Sequence, residues 1–295
     1  MSTMSEYPCT FVSDGKGGQI PFPPFITQRE MDILANEFVV HDNDLFVVTY
    51  PRSGTTWTEQ IVHLIRNQGE QGEQLLTDAA PWLETLPRRP GGMKAFLQTL
   101  EGRRLFTCHL PIGLMPDFSD RKGNYIYVAR NPKDVAVSYY YHDRSKSGYE
   151  GSWDEFFSLF VEGKVMYGSY FDHVLPWWQA SQQAVNILFL KYEDMKRDLA
   201  GAVERIADFI DVPLDQALLE RVTAGSSFQA MVTNEKTNFN WIPQREGIPK
   251  HYRKGITGDW RNQFSTEQNQ LFDKLYLQKM SGYQLQFDFG DGLIL

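Results

Sequence analysis

The sequence LFVVTYPRSGTTWTEQIVHLIRN, residues 45–67, decides the fold because it changes from strand to helix across a short polar turn. Residues 45–50 form an apolar, β-branched and aromatic run, which indicates a buried strand, and Pro51 ends it. Residues 52–56, RSGTT, form the turn. Apolar residues then recur at helical spacing: Trp57, Ile61, Leu64 and Ile65. The pattern predicts a strand, a tight turn and a helix in direct succession.

This order of elements is suited to binding a phosphate-like anion. The first turn of a helix has unpaired N–H groups and the positive end of the helix dipole, and Gly54 lets the backbone approach a ligand. The hydroxyls of Thr55 and Thr56 can donate as well. An ordinary strand-to-helix connection is the alternative for this spacing alone. The turn is not a Walker A loop, because Thr residues follow Gly54 and the cation, Arg52, precedes it.

Composition indicates a soluble globular protein. The chain has 295 residues, of which 42% are hydrophobic and 14% aromatic, enough for a sizeable core. Its net charge of −8 argues against nucleic acid or an anionic membrane as the partner. Two cysteines, Cys9 and Cys108, make no disulfide framework and indicate a reducing compartment. The sequence shows neither an apolar run of membrane-spanning length nor a signal-peptide core, so we expect a cytoplasmic protein.

Strands and helices alternate along the rest of the chain. Further strands are predicted at 104–108, 125–130 and 186–191. Helices are predicted at 28–37, from the N-cap Asn131 through Tyr139, after the capping box of Ser152 and Glu155, at 169–183 with a kink or a break at Pro176, at about 196–210, at 214–223 and from Ser265 to about 280. Residues 225–250 are expected to be irregular. This alternation predicts an α/β fold with a central parallel sheet and helices on both faces. We expect a flexible tail at residues 1–19, where glycines are frequent, and a single domain at residues 20–295.

Cationic and titratable side chains follow the ends of three predicted strands. Arg52, His109 and Arg130 each lie at or just beyond the C-terminal end of a predicted strand. Ligands of parallel α/β sheets bind beyond the carboxyl ends of the strands. We therefore expect these three residues to converge, although they are far apart in sequence.

Four segments carry a family resemblance. Residues 50–57 read YPRSGTTW, residues 130–140 read RNPKDVAVSYY after a strand, residues 190–195 read LKYEDM, and residues 253–264 read RKGITGDWRNQF. In this order they resemble the signatures of the cytosolic sulfotransferases, which use 3′-phosphoadenosine 5′-phosphosulfate (PAPS). The similarity extends from about residue 25 to about residue 285. It implies an enzyme that transfers a sulfuryl group from PAPS to a hydroxyl or amine of a small molecule, with 3′,5′-diphosphoadenosine (PAP) as product.

The resemblance also implies which residues bind the donor. The 5′-phosphosulfate would be held by the amides and hydroxyls of the turn: Arg52, Ser53, Gly54, Thr55 and Thr56. Trp57, which by itself would be interpreted as a core aromatic, would stack on the adenine. The 3′-phosphate would be bound by Arg130 and Ser138 and covered by Arg253, Lys254 and Gly255. Three further positions match nucleotide contacts of the family: Tyr192, Ser226 and Phe228.

His109 is the candidate general base. It occupies the histidine position of the family's KTHLP segment, which here reads TCHLP at residues 107–111. A neutral imidazole is a suitable base near pH 7 for an acceptor that loses its proton as it attacks. Alone, His109 would be interpreted as structural; its place in the motif favours catalysis. This scheme requires no metal.

Two residues depart from the family pattern. Arg52 stands where the family has a lysine, and an arginine, with a pKa above about 12, neutralises charge without donating a proton to a leaving oxygen. We therefore expect Arg52 to be an electrostatic stabiliser. Thr107 stands where the family commonly has another lysine, which removes a cation near the sulfuryl group. This change indicates slower chemistry or an acceptor of different charge.

The acceptor pocket is expected to be aromatic. Its predicted residues are Phe22, Phe25, Trp82, Tyr141, His142 and Phe239, with Trp241 close by. An aromatic pocket favours a phenol or a steroid, whereas His142 and Asp143 would suit a polar or cationic molecule. The family's dimer segment is altered at residues 261–270, so both a monomer and a homodimer remain open. Two other functions also remain open: a small-molecule kinase that uses ATP, and a nucleotide-binding relative without activity.

Overall fold

The computed structural model describes residues 7–118, 122–242, 251–290 and 292–294. The strands are β1 Thr10–Ser13, β2 Gln19–Phe22, β3 Leu45–Thr49, β4 Leu105–Cys108, β5 Asn124–Ala129 and β6 Ile187–Lys191. The helices are α1 Gln28–Glu37, α2 Thr55–Arg66, α3 Leu76–Ala79, α4 Gly92–Leu97, α5 Pro132–His142, α6 Trp153–Val161, α7 Tyr170–Ser181, α8 Tyr192–Arg197, α9 Leu199–Phe209, α10 Gln216–Gly225, α11 Phe228–Thr233 and α12 Thr266–Met280. Within these residues, no helix combines the length and the apolar composition needed to cross a membrane.

A parallel sheet forms the centre of the molecule. Within the described residues it has four strands in the order β4-β3-β5-β6. Leu45 of β3 lies opposite Leu105 of β4 on one side and Asn124 of β5 on the other, so the three strands end at one edge. The predicted parallel α/β fold is confirmed, and no predicted strand end differs from the observed one by more than one residue.

The two faces of the sheet carry different cores. In β3, Phe46 and Val48 face an aromatic cluster, whereas Leu45 and Val47 face an aliphatic one, as the two-residue repeat of a strand requires. The aromatic cluster is completed by residues of α5, α6, α7 and α12, and the aliphatic cluster by residues of α2, α9 and α10. Each fully buried aliphatic or aromatic side chain contributes about 1.5–3 kcal/mol. The predicted helices on both faces are therefore present, and α2 is fixed against the sheet.

The predicted flexible tail is wrong for residues 7–19, and residues 1–6 of that segment lie outside the described residues. β1 and β2 form an antiparallel hairpin in which Thr10 lies opposite Phe22. The carboxylate of Asp14 accepts hydrogen bonds from the N–H groups of Lys16 at 2.7 Å and Gly18 at 2.8 Å. The glycines that indicated mobility thus form the turn of the hairpin.

The helix predictions need three corrections. The region 196–210 holds two helices, because Asp198 ends α8 and caps α9 by accepting from the N–H of Gly201 at 2.9 Å. Helix α7 continues through Pro176, so the break that was one alternative there is absent. The predicted irregular stretch 225–250 contains α11, and its residues 243–250 lie outside the described residues.

The start of α5 anchors a distant segment of the chain. Asn131 caps the helix by accepting from the N–H of Asp134 at 2.9 Å, as its sequence predicted. The buried carboxylate of Asp134 accepts from the N–H groups of Gly258 at 2.7 Å and Trp260 at 3.0 Å. These bonds bring residues 251–260 to the carboxyl edge of the sheet.

Replacing Asp134 by alanine is expected to lower the free energy of unfolding by about 2–4 kcal/mol, because the buried N–H of Trp260 and the half-buried N–H of Gly258 lose their acceptor. Urea denaturation measures the change. Asp194→Ala is the matched control, since Asp194 is 39% exposed and its ion pairs with Lys191 and Arg197 lie at the surface. A urea midpoint of Asp134→Ala equal to that of the unmodified protein would contradict this anchoring role.

Candidate active site

One large cavity opens at the carboxyl edge of the sheet. It measures about 720 Å³ and is lined by the β3–α2 turn, the ends of β4 and β5, and the segments 228–231 and 251–256. Arg52, His109 and Arg130 all lie on its wall, so the residues that follow the three strands converge as expected.

The turn before α2 is shaped to receive an anion. Gly54 caps the helix at φ +109°, and a Cβ on it would lie 2.8 Å from the ring of Tyr192, so only glycine fits. In the described part of the chain, the N–H groups of Thr55, Thr56 and Trp57 have no acceptor. The buried hydroxyl of Ser53 likewise has no hydrogen-bond partner there. These unpaired donors fit a phosphosulfate group.

Arg52 crosses the cavity beside this turn. Its guanidinium donates to Ser138 Oγ at 3.2 Å and to the carbonyl of His251 at 3.0 Å, and lies 3.2 Å from His142 Nδ1. Burial and the charge of Arg130 lower the pKa of Arg52 to about 10, so the side chain remains positively charged at neutral pH. The turn therefore combines helix amides with a fixed cation.

Arg130 joins three separate segments. It donates to the carbonyl of Arg52 at 3.3 Å and to the carbonyl of Ile256 at 3.0 Å, and its guanidinium lies 4.3 Å from the ring centroid of Tyr192. Its buried Nε has no partner among the described residues. A cation on the cavity wall that is held in place by its neighbours is suited to a phosphate.

Residues 253–255 bring further positive charge to the same wall. The side chains of Arg253 and Lys254 both donate to Asp259. Burial opposes ionisation of that carboxyl, but the hydrogen bonds from Lys254, Asn262 and Arg253 outweigh it and lower the pKa of Asp259 to about 2. Gly255 has φ +63°, and a Cβ there would lie 2.3 Å from the Phe228 ring. The two side chains are thus held in place by one carboxylate.

Trp57 lies where its ring can meet a flat ligand. It lines the cavity, with its ring centroid 5.3 Å from that of Tyr192. Its indole Nε1 donates to the carbonyl of Ser226 at 2.8 Å. Ser226 itself is buried away from the wall, and its hydroxyl donates to the carbonyl of Val222 at 2.7 Å. The serine therefore holds the indole in place through its backbone.

His109 is held as a neutral imidazole. Its Nδ1 lies 2.9 Å from the carbonyl of Thr49, which can only accept, so Nδ1 carries the proton and Nε2 has the lone pair. Burial lowers the pKa of His109 to about 4. Its main-chain N–H donates to Glu84 at 2.7 Å, and its carbonyl lies 2.9 Å from His173 Nε2. The ring is thus held in one orientation and one tautomer.

Aromatic rings surround His109. The ring centroid of His109 lies 5.7 Å from that of Trp82 and 5.5 Å from that of Tyr167, and Phe25 contacts Trp82 at 5.7 Å. Phe239 lines the cavity elsewhere and stacks on His251 at 4.2 Å. This end of the cavity is apolar and is suited to a ring-bearing molecule.

Some predicted pocket residues lie elsewhere. Phe22 is fully buried, with its ring 4.8 Å from that of Tyr167, because the alternation along β2 turns it to the core. Tyr141 points away from the large cavity and donates to Gln263 at 2.9 Å. Trp241 stacks on Phe239 at 5.2 Å and is partly exposed. Phe25, Trp82, His142 and Phe239 do line the cavity.

Several other residues of the site and its surroundings were not predicted. Tyr167 and His251 line the cavity but lie in no motif. Glu84, which accepts from the N–H of His109, lies in a 3₁₀ helix at Leu83–Arg88. Glu59 of α2 lines the cavity, and its carboxyl is hydrogen-bonded to the Thr107 hydroxyl. Burial raises the pKa of Glu59 to about 7. For Thr49 a signal existed, since strand alternation places it on the face that meets α2.

A parallel α/β fold with an amide-lined turn, two arginines beside it and a histidine facing the same cavity is typical of transferases that bind an anionic nucleotide. Comparison with known proteins makes the class specific. The family model described as a sulfotransferase domain matches residues 42–284. Mouse Sulfotransferase 2A2 is 39% identical over 274 residues, which cover 90% of this chain and 94% of the relative. Mouse Sulfotransferase 2B1 is 38% identical over 278 residues, with 90% and 80% covered.

Solved structures agree with this family. Retinol dehydratase in complex with retinol and PAP has a TM-score of 0.80 and 26% identity, and the match covers 96% of this chain and 93% of that one. Mouse sulfotransferase SULT7A1 in complex with PAP has a TM-score of 0.73 and 30% identity, with 90% and 94% covered.

The chain therefore belongs to the sulfotransferase family. It is an enzyme that transfers a sulfuryl group from PAPS to a small-molecule acceptor. This assignment rejects the ATP-dependent kinase and the inactive relative that the sequence had left open. The individual roles expected for the site residues remain predictions.

Replacing Gly255 by alanine is expected to weaken PAP binding at least about ten-fold, because the new methyl group would displace Phe228 and strain a left-handed backbone. Calorimetric titration with PAP measures the loss. Gly102→Ala is the matched control, since Gly102 has φ +65° and nothing within 4 Å of its Cβ position. Equal PAP affinity in both variants would show that Phe228 and Gly255 do not contact the nucleotide.

Proposed function

We propose that His109 is the general base of this sulfotransferase and that the acceptor is an alcohol built on an apolar ring system, a phenol or a steroid. The observation that carries the proposal is the position of His109, with its Nε2 lone pair, between the anion-binding turn and a group of aromatic rings in one cavity. The resemblance to cytosolic sulfotransferases supports a location in the cytoplasm.

The reaction releases one proton from the acceptor hydroxyl, and His109 would accept it. The acceptor oxygen forms a bond to sulfur while the bond between sulfur and the 5′-phosphate oxygen breaks, and PAP departs with the electron pair. The hydroxyl proton passes to Nε2 of His109 and is later released to solvent. Because the carbonyl of Thr49 holds the proton on Nδ1, Nε2 is the nitrogen available to accept.

Arg52 and the start of α2 would stabilise the negative charge that develops during transfer. The donor supplies a sulfuryl group that is already activated by its bond to phosphate. Negative charge grows on the departing phosphate oxygen, next to the unpaired amides of Thr55 and Thr56. Arg52 is fixed there by Ser138 and His251, so little reorganisation is needed as the charge appears.

The aromatic end of the cavity supports a ring-bearing acceptor. Phe25, Trp82 and Tyr167 form a continuous apolar wall around His109. The structural neighbour retinol dehydratase is known in complexes with retinol and with androsterone, which are both apolar alcohols that contain rings. A hydroxyl that enters along this wall would meet His109 first.

The proposal is tested by transfer of radiolabelled sulfate from PAPS across a panel of phenols, steroid alcohols and aliphatic amines. We expect label on phenols or steroids. Label confined to aliphatic amines would reject the proposed acceptor class, since a protonated amine gains little from an apolar wall.

Replacing His109 by alanine is expected to lower kcat about 10²–10⁴-fold, because the general base is lost, while PAP affinity stays within about two-fold. Transfer rates at saturating PAPS and calorimetry with PAP measure the two quantities. His41→Ala is the control, since His41 is exposed and remote from the cavity. Turnover above a tenth of the unmodified rate in His109→Ala would reject this base.

Replacing Arg52 by alanine is expected to lower kcat about 10²–10³-fold, the typical cost of losing a donor that stabilises transition-state charge. Arg52→Lys keeps the charge and should retain most of the turnover. Rates at saturating PAPS separate this effect from donor binding, with Arg29→Ala, an exposed residue outside the cavity, as control. If Arg52→Ala keeps full turnover, Arg52 does not stabilise the charge.

A further inference from the structure

Glu59 is a buried carboxyl on the wall of the active-site cavity that the proposed mechanism does not use. Its relative exposure is 5%, and it belongs to the second turn of α2, directly after the anion-binding turn. Among the described residues, its only hydrogen bond is to the hydroxyl of Thr107. The described residues form no ion pair with it.

The hydrogen bond to Thr107 leaves the carboxyl able to bind something else. The hydroxyl of Thr107 also lies 3.1 Å from the carbonyl of Ala80, and one hydroxyl hydrogen serves one acceptor at a time. A carboxyl group has two oxygens that accept several hydrogen bonds. Glu59 therefore retains unused acceptor capacity at the cavity surface, where burial makes an unpaired polar atom costly.

The position of Glu59 relates it to the reacting hydroxyl. Thr107 belongs to β4 and His109 directly follows that strand, and the side chains of both residues line the cavity. Thr55, one helical turn before Glu59, contacts Thr49, which holds His109. Glu59 and His109 thus line the same cavity and are linked through Thr107 on one side and through Thr55 and Thr49 on the other.

We propose that Glu59 selects acceptors that carry a second hydroxyl beside the one that is sulfated, as in a catechol or a vicinal diol. The second hydroxyl would donate to the Glu59 carboxyl while the first meets His109. This inference rests on the proposed role of His109, and it adds which substituent the preferred acceptor carries beside the sulfated hydroxyl. A hydroxyl donor suits Glu59 in either protonation state, since both states keep a lone pair toward the cavity.

The test compares matched acceptors that differ in that hydroxyl: 4-tert-butylcatechol against 4-tert-butylphenol, and 2-hydroxyestradiol against estradiol. After correction for the two reactive hydroxyls, we expect kcat/KM to favour each diol about ten- to one-hundred-fold, the range for a hydrogen bond to a charged group. In Glu59→Gln, this preference should fall at least five-fold, because an amide nitrogen replaces one acceptor oxygen. PAP affinity is measured on the same samples, and an unchanged value shows that Glu59→Gln is folded.

Glu162→Gln is the control, since Glu162 is an exposed carboxyl at the end of α6 and should leave the preference unchanged. The absence of a diol preference in the unmodified enzyme, or an equal loss for both members of a pair in Glu59→Gln, overturns the inference. So does a stronger preference for tyramine, whose ammonium would then be the partner of Glu59.

Failure of the proposed function has a different outcome. If PAP binds but no acceptor is sulfated, the assignment of His109 fails. The inference about Glu59 is then decided by calorimetry of 4-tert-butylcatechol and 4-tert-butylphenol with the PAP-loaded enzyme. Equal affinities of the two compounds overturn it, and a catechol preference that is lost in Glu59→Gln supports it.

Discussion

The first turn of α2 has N–H groups without an acceptor among the described residues, and the cavity is built around this turn. Helix α2 is held against the sheet by its aliphatic face, so the amides are fixed at the carboxyl edge. Gly54 gives the backbone room to turn there. The remaining cations come from segments far away in sequence, and their positions follow from the parallel sheet and from Asp134, which ties residues 258–260 to α5.

Concentrating cations in one cavity requires carboxylates behind them. Arg52 and Arg130 contact each other through a main-chain carbonyl, and burial makes their charges costly. Asp259 holds the two cations at 253 and 254 in place. The opposite end of the cavity has a different composition, with aromatic rings and a neutral imidazole. The donor end and the acceptor end of the site are thus separated by charge within one continuous space.

Much of this architecture follows from sequence patterns. Apolar runs of strand length gave the sheet, and the rule that ligands bind at the carboxyl strand ends brought Arg52, His109 and Arg130 together. Contacts that depend on the exact placement of one element against another could not be predicted from sequence patterns. The approach of Glu59 to Thr107 joins positions 48 residues apart and requires α2 and β4 to be placed first. Glycine content near residue 15 indicated mobility, yet a single carboxylate organises that turn.

The segment that precedes the N-terminal hairpin also reaches the site. The phenol of Tyr7 donates to Asp143, a buried residue on the cavity wall, and burial raises the pKa of that carboxyl to about 7. The backbone of Met166, next to the ring of Tyr167 that faces His109, also donates to this phenol. Deleting the chain up to and including Tyr7, for expression or crystallisation, would remove these two hydrogen bonds from behind the active-site wall. Activity measured on such a truncated enzyme would then reflect a less rigid active site and not that of the whole chain.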